Sequence, residues 1–358
     1  MAFALRLLRA SCILLVGLSL LFNPLYAAER ISGTAESQAT SSVNRSTSLM
    51  TTTVDFQILL NSDSHSATAA NAAIDNAINE IKRVTQVFSE WEPKSEISAI
   101  NQAAGDKAVP VSPEVFRLIS EALRISELSN GKFDITFKSA GKLWDFRKKT
   151  IPEAAALKSA VASINYQHVV LNEEKQTIFL TKAETRIGLG GIAKGYAIDR
   201  AVQVIRQAGF DVFYINAGGD LYASSGASNK DNAKDRTKDS AKRWKVGIQH
   251  PDNTESLIAV LPVANGAVAT SGDYERYFEK NGVRYHHIID PDTGYPANLS
   301  RSVTVLTSRA YLADALATAV FVLGPEEGKA LIENMPEAEV LIIDKRGEIV
   351  STLPHVPL

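Results

Sequence analysis

From Tyr311 to Leu323 the chain is apolar or small throughout except at Asp314 and Thr318, and Gly324-Pro325 closes the run. The pattern predicts a helix, because glycine supplies a left-handed stop and proline does not continue one. A carboxylate inside so apolar a helix must find a partner or stay neutral. Asp314 and Thr318 stand at i and i+4 and share a face, which places a carboxylate beside a hydroxyl. Completed by backbone carbonyls and phosphate oxygens, such oxygen ligands suit magnesium. The alternative is a buried aspartate that caps neighbouring backbone.

The other elements define what this helix packs against. Val54 to Leu60 reads as a strand, and Ile74, Ile78, Ile81 and Val84 then recur at helical spacing. Ser112-Pro113 starts a helix with Val115, Leu118, Ile119 and Ala122 on one face and Asn130-Gly131 as its stop. Pro152 opens another, and Val169 to Leu171 with Thr177 to Leu180 reads as a hairpin. Arg186 to Leu189 is expected as a strand that runs into Gly190-Gly191 and a helix carrying Ile198, Ala201, Ile205 and Ala208, closed by Gly209. Further strands are expected at Val212 to Ile215, Trp244 to Ile248, Leu257 to Leu261, Val303 to Leu306 and Val340 to Ile343. No repeat or second composition divides these elements, so the expectation is one α+β domain over residues 51–358. Within it, Ser224 to Arg243 is charged and holds nothing apolar larger than alanine, which predicts a disordered insertion.

Ahead of the domain, Arg6 and Arg9 precede an apolar run from Cys12 to Phe22 that Asn23-Pro24 break before Ala27 and Ala28. This reads as a signal peptide over residues 1–28, since a bilayer crossing takes roughly 20 apolar residues. Cys12 is the only cysteine. It follows Arg9-Ala10-Ser11, where a lipidation site carries an aliphatic residue, and its removal with the leader leaves no disulfide or thiolate chemistry. Residues 29–50, rich in serine and threonine, are expected as a flexible linker, with folding from about Thr51. A net charge of −2 and a pI near 6.3 give no excess of positive charge for nucleic acid.

Polar and glycine-rich stretches at element ends are where sites are built. In Phe88-Ser-Glu-Trp-Glu-Pro-Lys-Ser-Glu-Ile-Ser-Ala-Ile-Asn101, Trp91 is read either as a platform for a flat ring or as a partly buried packing residue. Gly131-Lys-Phe-Asp-Ile-Thr136, with Leu143-Trp144-Asp-Phe146 after it, presents a turn and the Asp134 carboxylate, which alone would be a turn residue. Gly188-Leu-Gly-Gly-Ile-Ala-Lys-Gly-Tyr-Ala197 brings glycine backbone and Lys194 to a helix start, where free N–H groups favour phosphate; tight packing is the competing reading. Ala269-Thr-Ser-Gly-Asp-Tyr274 and Tyr285-His-His-Ile-Ile-Asp-Pro-Asp-Thr-Gly294 are the most polar stretches. His286 and His287 alternate faces if extended, so one points into a site. A histidine of near-neutral pKa suits a general base for a hydroxyl, against the plainer role of a turn hydrogen bonder.

Taken in order, these stretches with INAGGDLYA, VATSGDYERYF and DALATAVFVLG resemble the FAD:protein FMN transferase family, also called the ApbE family, over about Thr51 to Leu358. The resemblance implies a single α+β, T-fold-like domain, FAD as the substrate and Mg2+ on its pyrophosphate. It implies Asp314 and Thr318 as side-chain metal ligands, with the backbone carbonyls of Gly191 and Ala317. It further implies nucleotide contacts from Met50, Trp91, Lys132, Phe133, Asp134, Lys194 and Ile288, and His287 as the catalytic residue that helps deprotonate the acceptor. Implied partners are flavoprotein subunits of respiratory complexes or exported reductases, modified on threonine or serine with release of AMP. The expected location is periplasmic, with peripheral membrane attachment if the leader is kept or lipidated. Three positions depart from the family pattern: Gly188 replaces an aspartate, Met50-Thr51-Thr52 replaces Met-Gly-Thr, and Ile135 to Gly141 lacks a proline. The missing aspartate keeps open FAD hydrolysis to free FMN, and flavin binding without turnover is the third reading.

Overall fold

The structure, a computed structural model, describes residues 41–60, 66–226, 244–253 and 255–353. The leader, residues 29–40 and most of the expected insertion lie outside the described residues. Among the described residues no helix is long and apolar enough to cross a membrane.

An eight-stranded antiparallel sheet organises the chain. Its order is Ser42–Leu49, Thr52–Leu59, Val212–Ala217, Asp220–Ser225, Asn265–Gly272, Ser300–Thr307, Glu339–Asp344 and Ile349–Ser351. Alternate side chains leave opposite faces of a strand, and the sequence uses both. Val303, Val305, Val340 and Ile342 join the larger core under the helices. Leu306, Leu341 and Ile343 turn to the other face, where the hairpin of Trp244–Gln249 and Leu257–Val263 covers them. Helices Ala67–Phe88, Ala193–Gln207 and Ala310–Leu323 pack in the larger core. A smaller cluster around Trp144, Leu157, Phe278 and Ile289 seats the hairpin of Tyr277–Lys280 and Val283–His286.

The predicted helices and the hairpin at Val169 are all present, and three expectations are corrected. Residues 29–50 are not wholly a linker: Ser42–Leu49 is an edge strand in register with Thr52–Leu59. Its backbone ladder and Val43 hold it, and its polar side chains are what an exposed edge requires. Ser224 belongs to the strand Asp220–Ser225 and not to the insertion. Arg186 to Leu189 is extended but joins no sheet. There the Asn101 side chain replaces the ladder, its Nδ2 donating to Ile187 O at 2.9 Å and its Oδ1 accepting from Ile187 N at 2.7 Å. The proline-free segment Ile135 to Gly141 forms two short turns of helix, and Gly324-Pro325 both stops one helix and opens the next, Pro325–Glu333.

Helices Ala193–Gln207 and Ala310–Leu323 both lack a capping side chain of their own, with Ile192 and Arg309 at the cap positions. Each borrows one from the other. Asp199 accepts the amides of Ala310 and Tyr311 at 2.9 Å each, and Asp314 Oδ2 accepts that of Gly195 at 3.0 Å. Any side chain at Gly195 would collide with the backbone of Ala310 and Tyr311, so glycine is what lets the helices approach. Asp199→Ala strands two first-turn donors that no other group reaches. We expect a loss of about 1–3 kcal/mol, read as a lower urea midpoint; an unchanged midpoint would show that this cap is dispensable.

Candidate functional site

The helix crossing fixes the position of Asp314, and the glycine bend faces it. A β-carbon on Gly191 would lie 3.1 Å from Thr318 Oγ1 and 3.3 Å from Phe133 Cε2. The carboxylate-bearing helix, the paired glycines and the Gly131–Thr136 stretch therefore meet at one place. Thr318 Oγ1 is 3.4 Å from Ser271 Oγ, and Ala317 is fully buried beside it. Lys194, on the first turn after the bend, ion-pairs with the buried Asp220 at 3.1 Å. Burial pulls the Lys194 ammonium down, but Asp220 and Asp314 outweigh it and hold the pKa above the usual lysine value.

Carboxylates outnumber that lysine. Burial raises Asp314 well above the carboxylate range and the charge of Asp220 adds to it, with Lys194 opposing. Burial likewise raises Asp220, against Lys194, and raises Glu275. The Gly195 amide occupies only one Asp314 oxygen. A further positive charge at Thr318 and Gly191 would let these acids ionise together, and the donor set there, carboxylate, hydroxyl and backbone carbonyl, is the hard-oxygen chemistry of magnesium. The residues fit the ion implied by the resemblance. Among the described residues no group of three or more His, Cys, Asp or Glu could by itself hold a metal ion.

The two histidines part as their alternation requires. His286 is buried, its Nε2 2.8 Å from Ala297 O and its ring edge-on to Phe321. His287 has an enclosed Nδ1 with no hydrogen-bond partner. The expected near-neutral pKa is corrected: burial, then Arg276, His286 and Lys194, push it down to about 3. Arg276 also donates to Thr51 Oγ1 at 2.6 Å, which ties the first hairpin's turn to this corner. Met50 and Thr51 form that turn with φ of 50° and 62°, conformations that glycine adopts without strain.

The remaining predicted contacts sort clearly. Lys132 Nζ is 2.6 Å from Asp292 and 3.7 Å from Asp290, so the Gly131–Thr136 stretch is clamped to the histidine turn; Trp144 Nε1 adds a bond to Gly294 O at 2.9 Å. Asp134 faces inward: it accepts Thr136 N at 2.7 Å, Thr136 Oγ1 at 2.6 Å and Tyr166 N at 2.8 Å. Burial raises its pKa to about 6. Its carboxylate is a turn cap, as its lone reading allowed, and any contact from this stretch falls to Lys132 and backbone. Ile288 is buried core. Trp91 is not a packing residue: it is 78% exposed, with Lys138 Nζ 3.9 Å from its ring centroid. Sequence reasoning passed over Asp199, Asp220, Ser271, Glu275 and Arg276, although all five lie in or beside the stretches singled out.

The model of the ApbE family matches residues 50–342, and the chain belongs to that family. It is 36% identical to the FAD:protein FMN transferase of Treponema pallidum, over 78% of this chain and 80% of that protein. It is 32% identical to one from Klebsiella pneumoniae, over 77% and 83%. Among solved structures, the ApbE protein of Thermotoga maritima superimposes with a TM-score of 0.74 at 31% identity, covering 86% of this chain and 96% of that one. The flavin transferase ApbE of Vibrio cholerae gives 0.73 at 28%, covering 87% and 96%.

The low pKa of His287 has a measurable sign. Between its folded value of about 3 and the unfolded value of about 6.5, only the unfolded chain binds this proton. The contribution to stability is thus complete above about pH 6.5 and is lost as pH falls. His287→Ala should flatten the acid limb of the stability curve, and the His287 ring proton should not titrate by NMR between pH 5 and 8 in the free enzyme. An inflection near pH 6.5 at this residue would contradict the shielding described.

Proposed function

We propose that this chain is an FAD:protein FMN transferase that moves FMN from FAD to a threonine or serine hydroxyl of an acceptor protein and releases AMP. The observation that carries the reading is the junction of Gly191, Thr318 and Asp314 beside Lys194, with the unpaired Nδ1 of His287 in the same electrostatic field. Family membership supplies the substrate class.

Asp314, Thr318 and the carbonyls of Gly191 and Ala317 would hold Mg2+. When bound, the ion neutralises charge on the diphosphate as a bond to phosphorus breaks. The chain's own groups do the rest. Lys194 binds diphosphate oxygens, and Lys132 and Trp91 are the further nucleotide contacts that the resemblance implies. The acceptor oxygen attacks the FMN phosphorus in line as the bond to the AMP oxygen breaks. His287 Nδ1 receives the hydroxyl proton. A free-enzyme pKa of about 3 makes a weak base, but two of the causes are the cations Arg276 and Lys194. Burial is the larger cause and stays, but a diphosphate near Arg276 and Lys194 offsets their charge and so relieves part of the depression.

The leader directs the protein to the periplasm on this reading, where flavin-bearing subunits of respiratory complexes or exported reductases are the acceptors.

Incubation with FAD, Mg2+ and an acceptor protein should release AMP and leave covalent flavin fluorescence on the denatured acceptor. Asp314→Asn should abolish both outputs, and His287→Ala should slow transfer by on the order of 10²–10⁴. Full transfer in the presence of a chelator would overturn the metal role, and AMP release without labelling would favour hydrolysis.

A further inference from the structure

An unpaired carboxylate oxygen lies against the start of the glycine bend. Glu90 Oε1 is ion-paired with Lys138 Nζ at 2.5 Å, whereas Oε2 is enclosed and has no hydrogen-bond partner. Gly188 makes the room for it: a β-carbon there would collide with Glu90 Oε2 and sit 3.3 Å from Lys138 Cβ and 3.4 Å from Phe137 Cε1. Gly188 has no positive φ, so its backbone does not require glycine, and what the residue contributes is space. The collision is as close as a β-carbon and a carboxylate oxygen within a single aspartate, a separation set by bonds of about 1.5 and 1.25 Å. Glu90 therefore places an oxygen within the reach an aspartate at 188 would have.

The surroundings indicate what this oxygen accepts. Glu90 and Lys138 border an open cleft of about 290 Å³ that Asn101, Lys142 and Arg186 also line. Trp91, next to Glu90, is exposed with the Lys138 ammonium over its ring. A buried acceptor without a donor costs free energy that a ligand can recover. The matching ligand edge carries an N–H flanked by carbonyls, on a flat ring. The imide edge of an isoalloxazine has that pattern, and adenine, which has no carbonyl, does not.

We propose that Glu90 is a substrate-binding residue: its Oε2 accepts the isoalloxazine N3–H of FAD, Lys138 donates to an adjoining ring carbonyl, and Trp91 stacks on the ring. This rests on the transferase reading above. It also removes the ground for hydrolysis, because the carboxylate absent at position 188 is supplied from position 90.

The test is FAD affinity, read by flavin fluorescence without acceptor or turnover, so that it stays readable whether or not an acceptor is labelled. Glu90→Ala should weaken FAD binding by on the order of tenfold to a hundredfold. FAD methylated at N3 should bind wild type as weakly as FAD binds Glu90→Ala, and the variant should not distinguish the two flavins. Gly188→Asp alone should bind poorly, since two carboxylates then compete for one space, whereas Glu90→Ala with Gly188→Asp should recover most of the lost affinity. Circular dichroism of each single variant checks separately that it folds. Undiminished FAD affinity in Glu90→Ala, or equal discrimination against the methylated flavin by wild type and variant, would overturn the assignment. A wild type that binds FAD in this pattern yet never labels an acceptor would leave it standing and sink the transferase reading.

Discussion

Two helices at the centre of this protein each lack a capping side chain, and each takes one from its partner. Asp199 caps the helix that carries Asp314, and Asp314 accepts the third amide of the helix that carries Asp199. The exchange works only at close approach, which Gly195 permits by presenting no side chain to Ala310 and Tyr311. Its consequence reaches beyond stability. One oxygen of Asp314 is pinned by the Gly195 amide, Thr318 one turn further along the same helix meets the Gly191 bend, and the turn that Asp314 caps carries Lys194. A ligand geometry of this kind does not depend on loop order; it is set by the crossing of two packed helices.

Charge balance explains why that geometry calls for a visitor. Asp314, Asp220 and Glu275 share Lys194, while Arg276 and Lys194 press on His287 from the other side. The free site is thus strained in both senses, with acids driven towards protonation and a base driven away from it. A divalent cation would relieve the first, and a diphosphate would offset the share of the second that Arg276 and Lys194 add to burial. On the proposed reading the two enter together as the metal-bound dinucleotide, and the protein supplies a base whose strength depends on the substrate being present.

Much of this was legible in the sequence where one local signal decided the outcome. The apolar run with Asp314, the Ser112-Pro113 start and the glycine stops at 131 and 209 specify helices from short-range physics alone. His286 and His287 do part, the first ring bonded to Ala297 O and set against Phe321 and the second left with an unpaired Nδ1. Where a partner distant in the chain makes the decision, the reading failed. Ser42–Leu49 looks like a linker because an edge strand buries little and is held by backbone bonds to its neighbour. Arg186 to Leu189 looks like a strand because its residues suit one, yet the Asn101 amide takes the place of a ladder. The basicity of His287 could not be read either, since it is set first by burial and then by cations that arrive from another turn and from the glycine bend.

Position 188 shows the same limit from the side of function. Read along the chain, a glycine where the family carries aspartate is a lost carboxylate, and a lost carboxylate argues for a changed reaction. Read in space, the absent side chain is a vacated volume, and the oxygen of Glu90 lies in it. On the proposed reading the ligand senses the field and the lone pair at that point, whichever residue bears them. The longer glutamate needs the emptier glycine opposite, so the two residues are a coupled pair. Each is unfavourable without the other, and neither signals its role by its own identity.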